Sequence, residues 1–249
     1  MTEGKESVRG RVSVDEQMKW SESLAPIRPQ EEAKKERQRR MKQFQKDCAP
    51  LMKELGEVGF VYDTIDGLIH SGVAYRAAVP VLLKWVSMTG NYDVREAIVR
   101  ALSVPWAKPD AAPVFIKEFR TADSSEHSYK WALGNGLSIV ADDSVVDELI
   151  ELARDRTHGK SREMLALALA NIRDPRVVDV LLELLQDEQM AGHAVIALGK
   201  LGASKGRASI EPFVHHEKAW IRREAKKALS RIDREAAKGT NRLASKRIQ

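Results

Sequence analysis

The sequence predicts an all-α fold, an α-solenoid of five or six helix-pair repeats, because two series of apolar residues share one period. The first series marks the same position in five similar segments and recurs at intervals of 33, 34, 32 and 32 residues, at Leu82, Phe115, Leu149, Leu181 and Phe213. The second series recurs at intervals of 35, 32, 29 and 31 residues, at Leu102, Leu137, Leu169, Leu198 and Leu229. Such a period is typical of stacked helix pairs, in which each pair covers the apolar face of the next.

The second series lies on predicted helices. Around Leu198, apolar residues recur at i−4, i and i+3, which places them on one helix face. Alanine or glycine precedes every leucine of this series, so the second helix of each pair can approach its partner closely. Asp110, Asp174 and Ser204 are predicted to cap helix starts, because their side-chain oxygens can accept from the free N–H groups there.

The repeats are not expected to fill the whole chain. The ends of a solenoid need a polar outer face, so an atypical terminal repeat is expected. The predicted organisation is a polar N-terminal extension over 1–46 with a charged helix from about residue 31, a degenerate capping repeat over 47–72, a repeat array over 73–233, and a basic, frayed tail over 234–249.

Three segments carry a resemblance to a known family, namely DVREA at 93–97, AVIALGKL at 194–201 and IRREA at 221–225. Over about 75–233 the chain resembles the HEAT repeat family, and most of all the short variety named after the PBS-lyase HEAT-like repeats. Its period is shorter than the ~40–47 residues typical of HEAT units. The resemblance implies an armadillo/HEAT-type superhelix. It leaves the activity open, because this architecture serves scaffolds, enzymes and nucleic-acid binders.

Composition excludes several classes of protein. The chain is 43% hydrophobic, which excludes collagen-like and wholly disordered chains. No apolar run approaches the ~18–20 residues needed to cross a bilayer, so no membrane partner is predicted. Residues 1–12 contain no apolar segment of the kind found in secretory signals, and a cytoplasmic location is expected. Cys48 is the single cysteine and cannot form an internal disulfide.

No catalytic residue, metal site or cofactor is predicted. The GKS segment at 159–161 has Arg154 where a phosphate-binding loop needs its leading glycine. The pair His216-Glu217 is similar to one of the His-Glu pairs with which the HEAT-repeat deoxyhypusine hydroxylases hold iron. A single pair supplies too few ligands for a metal ion.

Two further resemblances supply alternatives. HEAT-like DNA glycosylases use an aspartate and stacking aromatic residues, for which the candidates are Trp131 and Trp220 with Asp142 or Asp143. Packing between repeats is the favoured interpretation of both tryptophans. The bilin lyases that gave the short repeats their name imply a chaperone for a tetrapyrrole-bearing protein, and only the repeats themselves point to that role.

A row of basic residues stands seven positions before four of the five second-series leucines, at Arg95, Lys130, Arg162 and Arg222, and Ala191 interrupts it before Leu198. In the family that the chain resembles, an arginine at this place commonly pairs with a turn aspartate, so the favoured interpretation is a polar network that aligns adjacent repeats. The alternative is a basic stripe that faces a ligand.

The helix that contains Trp131 holds a second binding candidate. Gly134 and Gly136 flank Asn135, and each glycine costs about 1 kcal/mol relative to alanine inside a helix. Either a close helix crossing or the close approach of a partner must offset that cost. The close crossing is the favoured interpretation.

The third binding candidate is the excess of positive charge near the C-terminal end. The whole chain has 41 basic and 36 acidic residues, whereas residues 201–249 alone have 13 basic and 5 acidic ones. In the last repeat the cations include Arg222, Arg223, Lys226 and Lys227. This end could meet an anionic surface such as nucleic acid, although a solvated outer face is the favoured interpretation.

These observations lead to one main hypothesis, one alternative and, as a weaker alternative, the bilin-lyase-like chaperone named above. The main hypothesis is a non-catalytic scaffold that binds a protein or peptide partner on the concave surface formed by the second helices. The alternative is a nucleic-acid-binding protein, conceivably a DNA-glycosylase-like one, that uses the basic C-terminal repeat.

Overall fold

A computed structural model describes residues 30–123 and 125–246 of the chain, with side chains over 31–123 and 125–238. Within these ranges it contains twelve α-helices and no β-strand. The chain forms two units, residues 1–43 and 44–249. The described part of the first unit is helical, and its side chains from 31 to 43 are exposed. Residues 1–29 of the predicted extension lie outside the described residues.

Helix α1 (Gln30–Glu57) and the short helix α2 (Ile65–Ile69) precede five helix pairs. The first helices of the pairs are α3 (Val79–Met88), α5 (Ala111–Thr121), α7 (Val146–Arg154), α9 (Arg176–Leu184) and α11 (Arg207–Ile210). The second helices are α4 (Tyr92–Leu102), α6 (His127–Val140), α8 (Glu163–Leu169), α10 (Ala191–Leu201) and α12 (Ala219–Lys246).

Each second helix packs against the second helix of the next pair, so that α4, α6, α8, α10 and α12 contact one another in order, and α2 packs against α4. The core residues are those of the two aligned series. In the first four pairs all eight are fully buried: Leu82, Phe115, Leu149, Leu181, Leu102, Leu137, Leu169 and Leu198. In the last pair Phe213 and Leu229 are only partly buried.

Bare glycine backbone allows two pairs of helices to come close together. A Cβ atom on Gly136 of α6 would lie 2.5 Å from Cε2 of Phe115 in α5. A Cβ atom on Gly199 of α10 would lie 2.6 Å from the Cβ atom of Ala228 in α12. Carbon atoms pack at about 3.5–4.0 Å, so any larger residue would push these helices apart. A close helix crossing therefore accounts for Gly136.

The boundary predicted between residues 46 and 47 lies inside α1. This helix continues through Pro50, although the proline ring removes one backbone hydrogen-bond donor. Cys48, Leu51 and Leu55 fall at i, i+3 and i+7 and are buried, so packing of this face offsets the lost hydrogen bond.

The boundary predicted at 233 likewise lies inside a helix, because α12 continues to Lys246 where a frayed tail was expected. Arginine, glutamate, alanine and lysine dominate the sequence after 233, and all four are good helix formers. Lys238 and Glu235 also form an ion pair at i and i+3, 2.7 Å apart.

The last pair differs from the others in its first helix. Helix α11 has only four residues, and the segment Glu211–His215 that follows is a 3₁₀ helix. Pro212 explains this difference, since it cannot donate the hydrogen bond that a continuing α-helix requires at that position.

The predicted helix caps are realised at one of three positions. The carboxylate of Asp174 accepts from the N–H of Arg176 at 2.8 Å. Asp110 precedes α5, but its side chain makes no capping hydrogen bond. Ser204 begins a 3₁₀ turn instead of capping a helix.

The substitution Gly199→Ala should lower the unfolding free energy by about 1–3 kcal/mol, because the added methyl group must displace α12. The matched control is Gly56→Ala in α1, where the new Cβ would lie an ordinary 3.9 Å from Val61 and should be neutral or stabilising. Urea denaturation followed by circular dichroism measures both. Equal stability of the two variants would contradict the close crossing of α10 and α12.

Candidate interaction surface

Ion pairs link the exposed surfaces of successive first helices. They join Arg120 to Glu151 at 2.7 Å, Arg154 to Glu183 at 2.7 Å and Arg176 to Asp147 at 2.8 Å, and they also join Lys205 to Asp179. Lys84 of α3 pairs in the same way with Glu54 of α1 at 2.8 Å. Exposed pairs contribute only about 0–1 kcal/mol each. They nevertheless provide the charged groups of this surface with partners inside the molecule.

The second helices carry apolar side chains on their solvent side. Trp131 of α6 is 50% exposed, and Trp220 of α12 is 38% exposed. On the two helices between them, Met164 and Leu167 of α8 and Ile196 of α10 are half-buried and lie outside the hydrophobic core. We call these five residues the apolar row. Solvent-side apolar residues on several successive helices are a feature of interaction surfaces.

Between residues 92 and 232 the exposed ionic side chains of the described second helices are cations, namely Arg100, Lys200, Arg223, Lys226, Lys227 and Arg231. Beyond them on α12, the exposed carboxylates Asp233 and Glu235 form ion pairs with Arg207 and Lys238. Among the described residues, Lys200, Lys226 and Arg231 have no ion-pair partner. The second-helix side therefore combines an apolar row with exposed positive charge.

The acidic side chains of the same helices are less accessible, since Asp93, Glu96, Glu163 and Glu224 are all half-buried. Glu96 accepts from Arg100 and from the hydroxyl of Ser128. Glu224 forms ion pairs with Lys227 at 2.9 Å and with Arg223 at 3.5 Å. Glu96 and Glu224 are therefore engaged within the molecule.

The indole of Trp220 lies on the backbone of Gly192, where a Cβ atom would be only 2.1 Å from the ring. Its ring centroid is 5.6 Å from that of His193. Nδ1 of His193 is buried and has no hydrogen-bond partner among the described residues. Burial lowers the pKa of His193, and the charge of Glu163 opposes that effect. Trp220 thus packs between repeats, as expected, while part of its ring stays exposed.

The basic residues Arg95, Lys130, Arg162 and Arg222, which we call the basic row, contact loops between helices. Nε of Arg95 donates to the carbonyl of Thr89 at 2.6 Å, and Arg222 donates to two carbonyls of its own turn at 2.8 Å. Arg95 also pairs at 3.2 Å with Glu118, a buried residue of the next helix pair, which accepts from the hydroxyl of Tyr129 as well. These contacts favour a structural role for the row.

Arg162 is the most deeply buried member of the row, with 1% of its surface exposed. It donates to the carbonyls of Ala153 and Gly159 at 2.8 and 3.2 Å, and to the carboxylate of Asp187 at 2.8 Å. Burial alone would raise the pKa of Asp187, but the hydrogen bonds from Arg162 and from the N–H of Gln189 lower it. This ion pair joins α8 to the turn that precedes α10.

Lys130 is buried and donates toward the imidazole of His158, with Nζ 3.3 Å from Nδ1. Its ammonium group also lies 5.7 Å from the centre of the Phe119 ring. Burial lowers the pKa of Lys130, whereas the charges of Asp123 and Asp155 raise it. The pKa of His158 is lowered by burial and by the charge of Lys130. Lys130 therefore holds the loop over 155–162 against α6 and does not face solvent.

The other candidate residues differ in their surroundings. Asn135 is half-buried between two glycines, and a Cβ on Gly134 would lie 3.1 Å from that of Met164, which is a second close approach. Asp142 caps its own turn by accepting from Ser144, and Asp143 accepts from the N–H of Arg173.

His216 lies in a turn, where its Nδ1 accepts from the N–H of Lys218 and its ring stacks on Phe213. Among the described residues there is no group of three or more His, Cys, Asp or Glu side chains that could hold a metal ion.

Residues 161–187 match the family model of the PBS lyase HEAT-like repeat. The matched segment runs from Ser161 in the turn before α8 to Asp187 after α9, and it contains both partners of the buried Arg162–Asp187 ion pair. The match supports a HEAT-repeat protein, in agreement with the resemblance found in the sequence, and a repeat of this kind suggests a repeat scaffold. A comparison with curated proteins finds no matching sequence. None of the described helices is long and apolar enough to span a membrane.

Three members of the apolar row, Met164, Leu167 and Ile196, were not singled out from the sequence. A signal for two of them is present in the aligned repeats. Leu167 and Ile196 stand two positions before a second-series leucine, where the other repeats have the polar residues Arg100, Asn135 and Lys227. An apolar residue at a position that is polar in the other repeats is a sign of a surface with a partner.

The substitution Arg162→Met should lower the unfolding free energy by about 3–5 kcal/mol, because it removes the nearest cation from the largely buried Asp187 carboxylate and the guanidinium donor from two carbonyls. The matched control is Arg154→Ala, which breaks an exposed ion pair and should cost no more than about 1 kcal/mol. Chemical denaturation measures both. A loss of under 1 kcal/mol for Arg162→Met would show that the buried ion pair is dispensable.

Stability should fall as the pH decreases from 7 toward 5. His158 and His193 have lowered pKa values in the folded state, so the unfolded chain takes up protons first, near pH 6.5. Their full contribution to stability is present above that pH and is lost as the pH falls through the folded values. The substitution His193→Gln should flatten the pH dependence of the melting temperature, and His127→Gln at an exposed position should leave it unchanged. An unchanged slope for His193→Gln would contradict this account.

Proposed function

We propose that the chain is a non-catalytic HEAT-repeat scaffold that binds a protein or peptide partner on its second-helix side. In this proposal the five helix pairs and the degenerate pair formed by the end of α1 and by α2 stack as an α-solenoid. The second helices then line the concave surface. Solenoids offer such extended surfaces for binding without a catalytic cleft.

The observation that carries the proposal is the difference between the two sides of the helix pairs. Several charged groups on the first helices pair with those of the neighbouring repeat, as Arg120 does with Glu151, and Met88 is the one exposed large apolar side chain on the described first helices. The second helices present the apolar row to water, and half of the surface of its residue Trp131 is exposed. Apolar surface gains free energy when a partner removes it from water, and tryptophan is among the residues that contribute most to interfaces.

A second candidate function, nucleic-acid binding, is favoured by the exposed cations of α12. Lys226 and Arg231 are exposed and have no ion-pair partner among the described residues, whereas Arg223 and Lys227 pair with Glu224. Binding to phosphates through such cations weakens steeply with salt, which distinguishes it from binding through the apolar row.

Affinity purification with variants of the full chain tests the proposed function. Trp131→Asp and Ile196→Asp each place a charge in the apolar row, and each should lower the amount of a captured protein about tenfold or more. The matched control is Met88→Asp on α3, a first-helix residue that is 61% exposed. It should capture as much as the unmodified chain.

Circular dichroism and melting temperature establish that the three variants are folded. A captured protein that is retained equally by all three variants would contradict the proposed function. Release of captured nucleic acid by salt, with no effect of Trp131→Asp or Ile196→Asp, would favour the second candidate.

A further inference from the structure

The charged groups on the second-helix side indicate the chemistry of the partner. Up to residue 232 the exposed ionic groups of this side are cations and its carboxylates are half-buried. Further along α12 the exposed carboxylates Asp233 and Glu235 form ion pairs with Arg207 and Lys238. Lys200 on α10 has no ion-pair partner among the described residues and stands four positions after Ile196, so the two share one helix face. A free cation and an apolar side chain therefore lie side by side in the middle of the array.

The same combination recurs on the last helix. Trp220, Arg223, Lys227 and Arg231 fall at i, i+3, i+7 and i+11 of α12, which places them on one stripe. All four are exposed. An apolar group begins the stripe and cations continue it, so a partner that covers Trp220 also reaches the positive charges.

We infer that the partner segment is amphipathic and acidic, with apolar side chains that cover the apolar row and carboxylates that face Lys200 and the cations of α12. This inference rests on the proposed function and adds the chemistry of the partner to it. Charge complementarity favours an anionic segment, because an acidic partner gains ion pairs with these cations and a basic one is repelled.

A protein segment fits this surface better than nucleic acid does. Leu167, Ile196 and Met164 are aliphatic and form the middle of the apolar row. Phosphates and sugars offer no apolar surface to cover such side chains, and stacking of bases requires aromatic ones. A partner that covers the apolar row therefore needs apolar side chains. It also needs carboxylates next to those side chains, to pair with the cations.

The length of the apolar row determines how long the partner segment must be to cover it. Neighbouring packed helices lie about 8–10 Å apart, so the three steps from α6 to α12 cover about 24–30 Å. An extended segment needs about seven to nine residues to cover that distance, and a helical one needs about 16–20. A synthetic peptide of about 20 residues is long enough in either conformation.

Three fluorescent peptides of this length test the inference. The first has leucine on one helical face and glutamate on the other, the second has lysine in place of glutamate, and the third keeps glutamate but has serine in place of leucine. Fluorescence anisotropy with the full chain should show that the leucine–glutamate peptide binds at least about tenfold more tightly than either of the others.

Charge reversal identifies the cations that are involved. Lys200→Glu and Arg223→Glu should each weaken binding of the leucine–glutamate peptide about three- to tenfold, and the effect should shrink at high salt. The matched control is Lys117→Glu, at an exposed position of the first helix α5, which should leave the affinity unchanged. Melting temperatures exclude an effect through unfolding.

The outcomes separate the inference from the proposed function. If the lysine peptide binds as tightly as the glutamate peptide and both are lost in Ile196→Asp, the acidic partner is wrong while the apolar surface stands. If the leucine–glutamate peptide binds equally to Ile196→Asp and Trp131→Asp, the proposed surface itself is wrong. If no peptide binds, or if a 20-base-pair DNA duplex binds more tightly and is lost in Arg223→Glu, the inference is overturned.

Discussion

The structure depends on the burial of apolar surface between successive helix pairs. One pair of helices of about ten residues each cannot enclose a core, so each pair covers part of the next. The close crossing of α10 and α12 at Gly199 and Ala228 shows how short the distance between neighbours becomes when the side chains are small. Because every pair needs neighbours, the free surface is left on the two sides of the row of pairs and at its ends.

Where the repeats meet, buried polar groups need hydrogen-bond or ion-pair partners. Arg162 donates to two carbonyls of its own repeat and to Asp187 of the next, so one guanidinium joins a loop to its neighbour. Arg95 does the same with Thr89 and Glu118. A buried arginine without these acceptors would be strongly destabilising, and the acceptors would be equally costly without it. Arg95 and Arg162 of the basic row therefore join adjacent repeats.

Several expectations depended on local sequence signals that tertiary contacts overrode. The boundary expected between residues 46 and 47 falls inside α1, because the buried face of Leu51 and Leu55 carries the helix through Pro50. Pro212, in contrast, ends the α-helix before it, because it lacks the N–H that a continuing α-helix needs. The two glycines around Asn135 allowed either a close crossing or a partner, and only the positions of Phe115 and Met164 distinguish between them.

The sequence by itself determined the helical class and the core positions of the first four pairs, because the period of the apolar residues reflects which face each helix must bury. It also contained the resemblance to HEAT repeats that the match over residues 161–187 supports. The tertiary structure decided which polar and apolar side chains remain in water. Trp131 and Ile196 are apolar residues of the kind usually found in a core, and Arg162 is a cation of the kind usually found at the surface. Their exposure is set by neighbours about 30 residues away in the chain, and such contacts are not encoded in the local pattern.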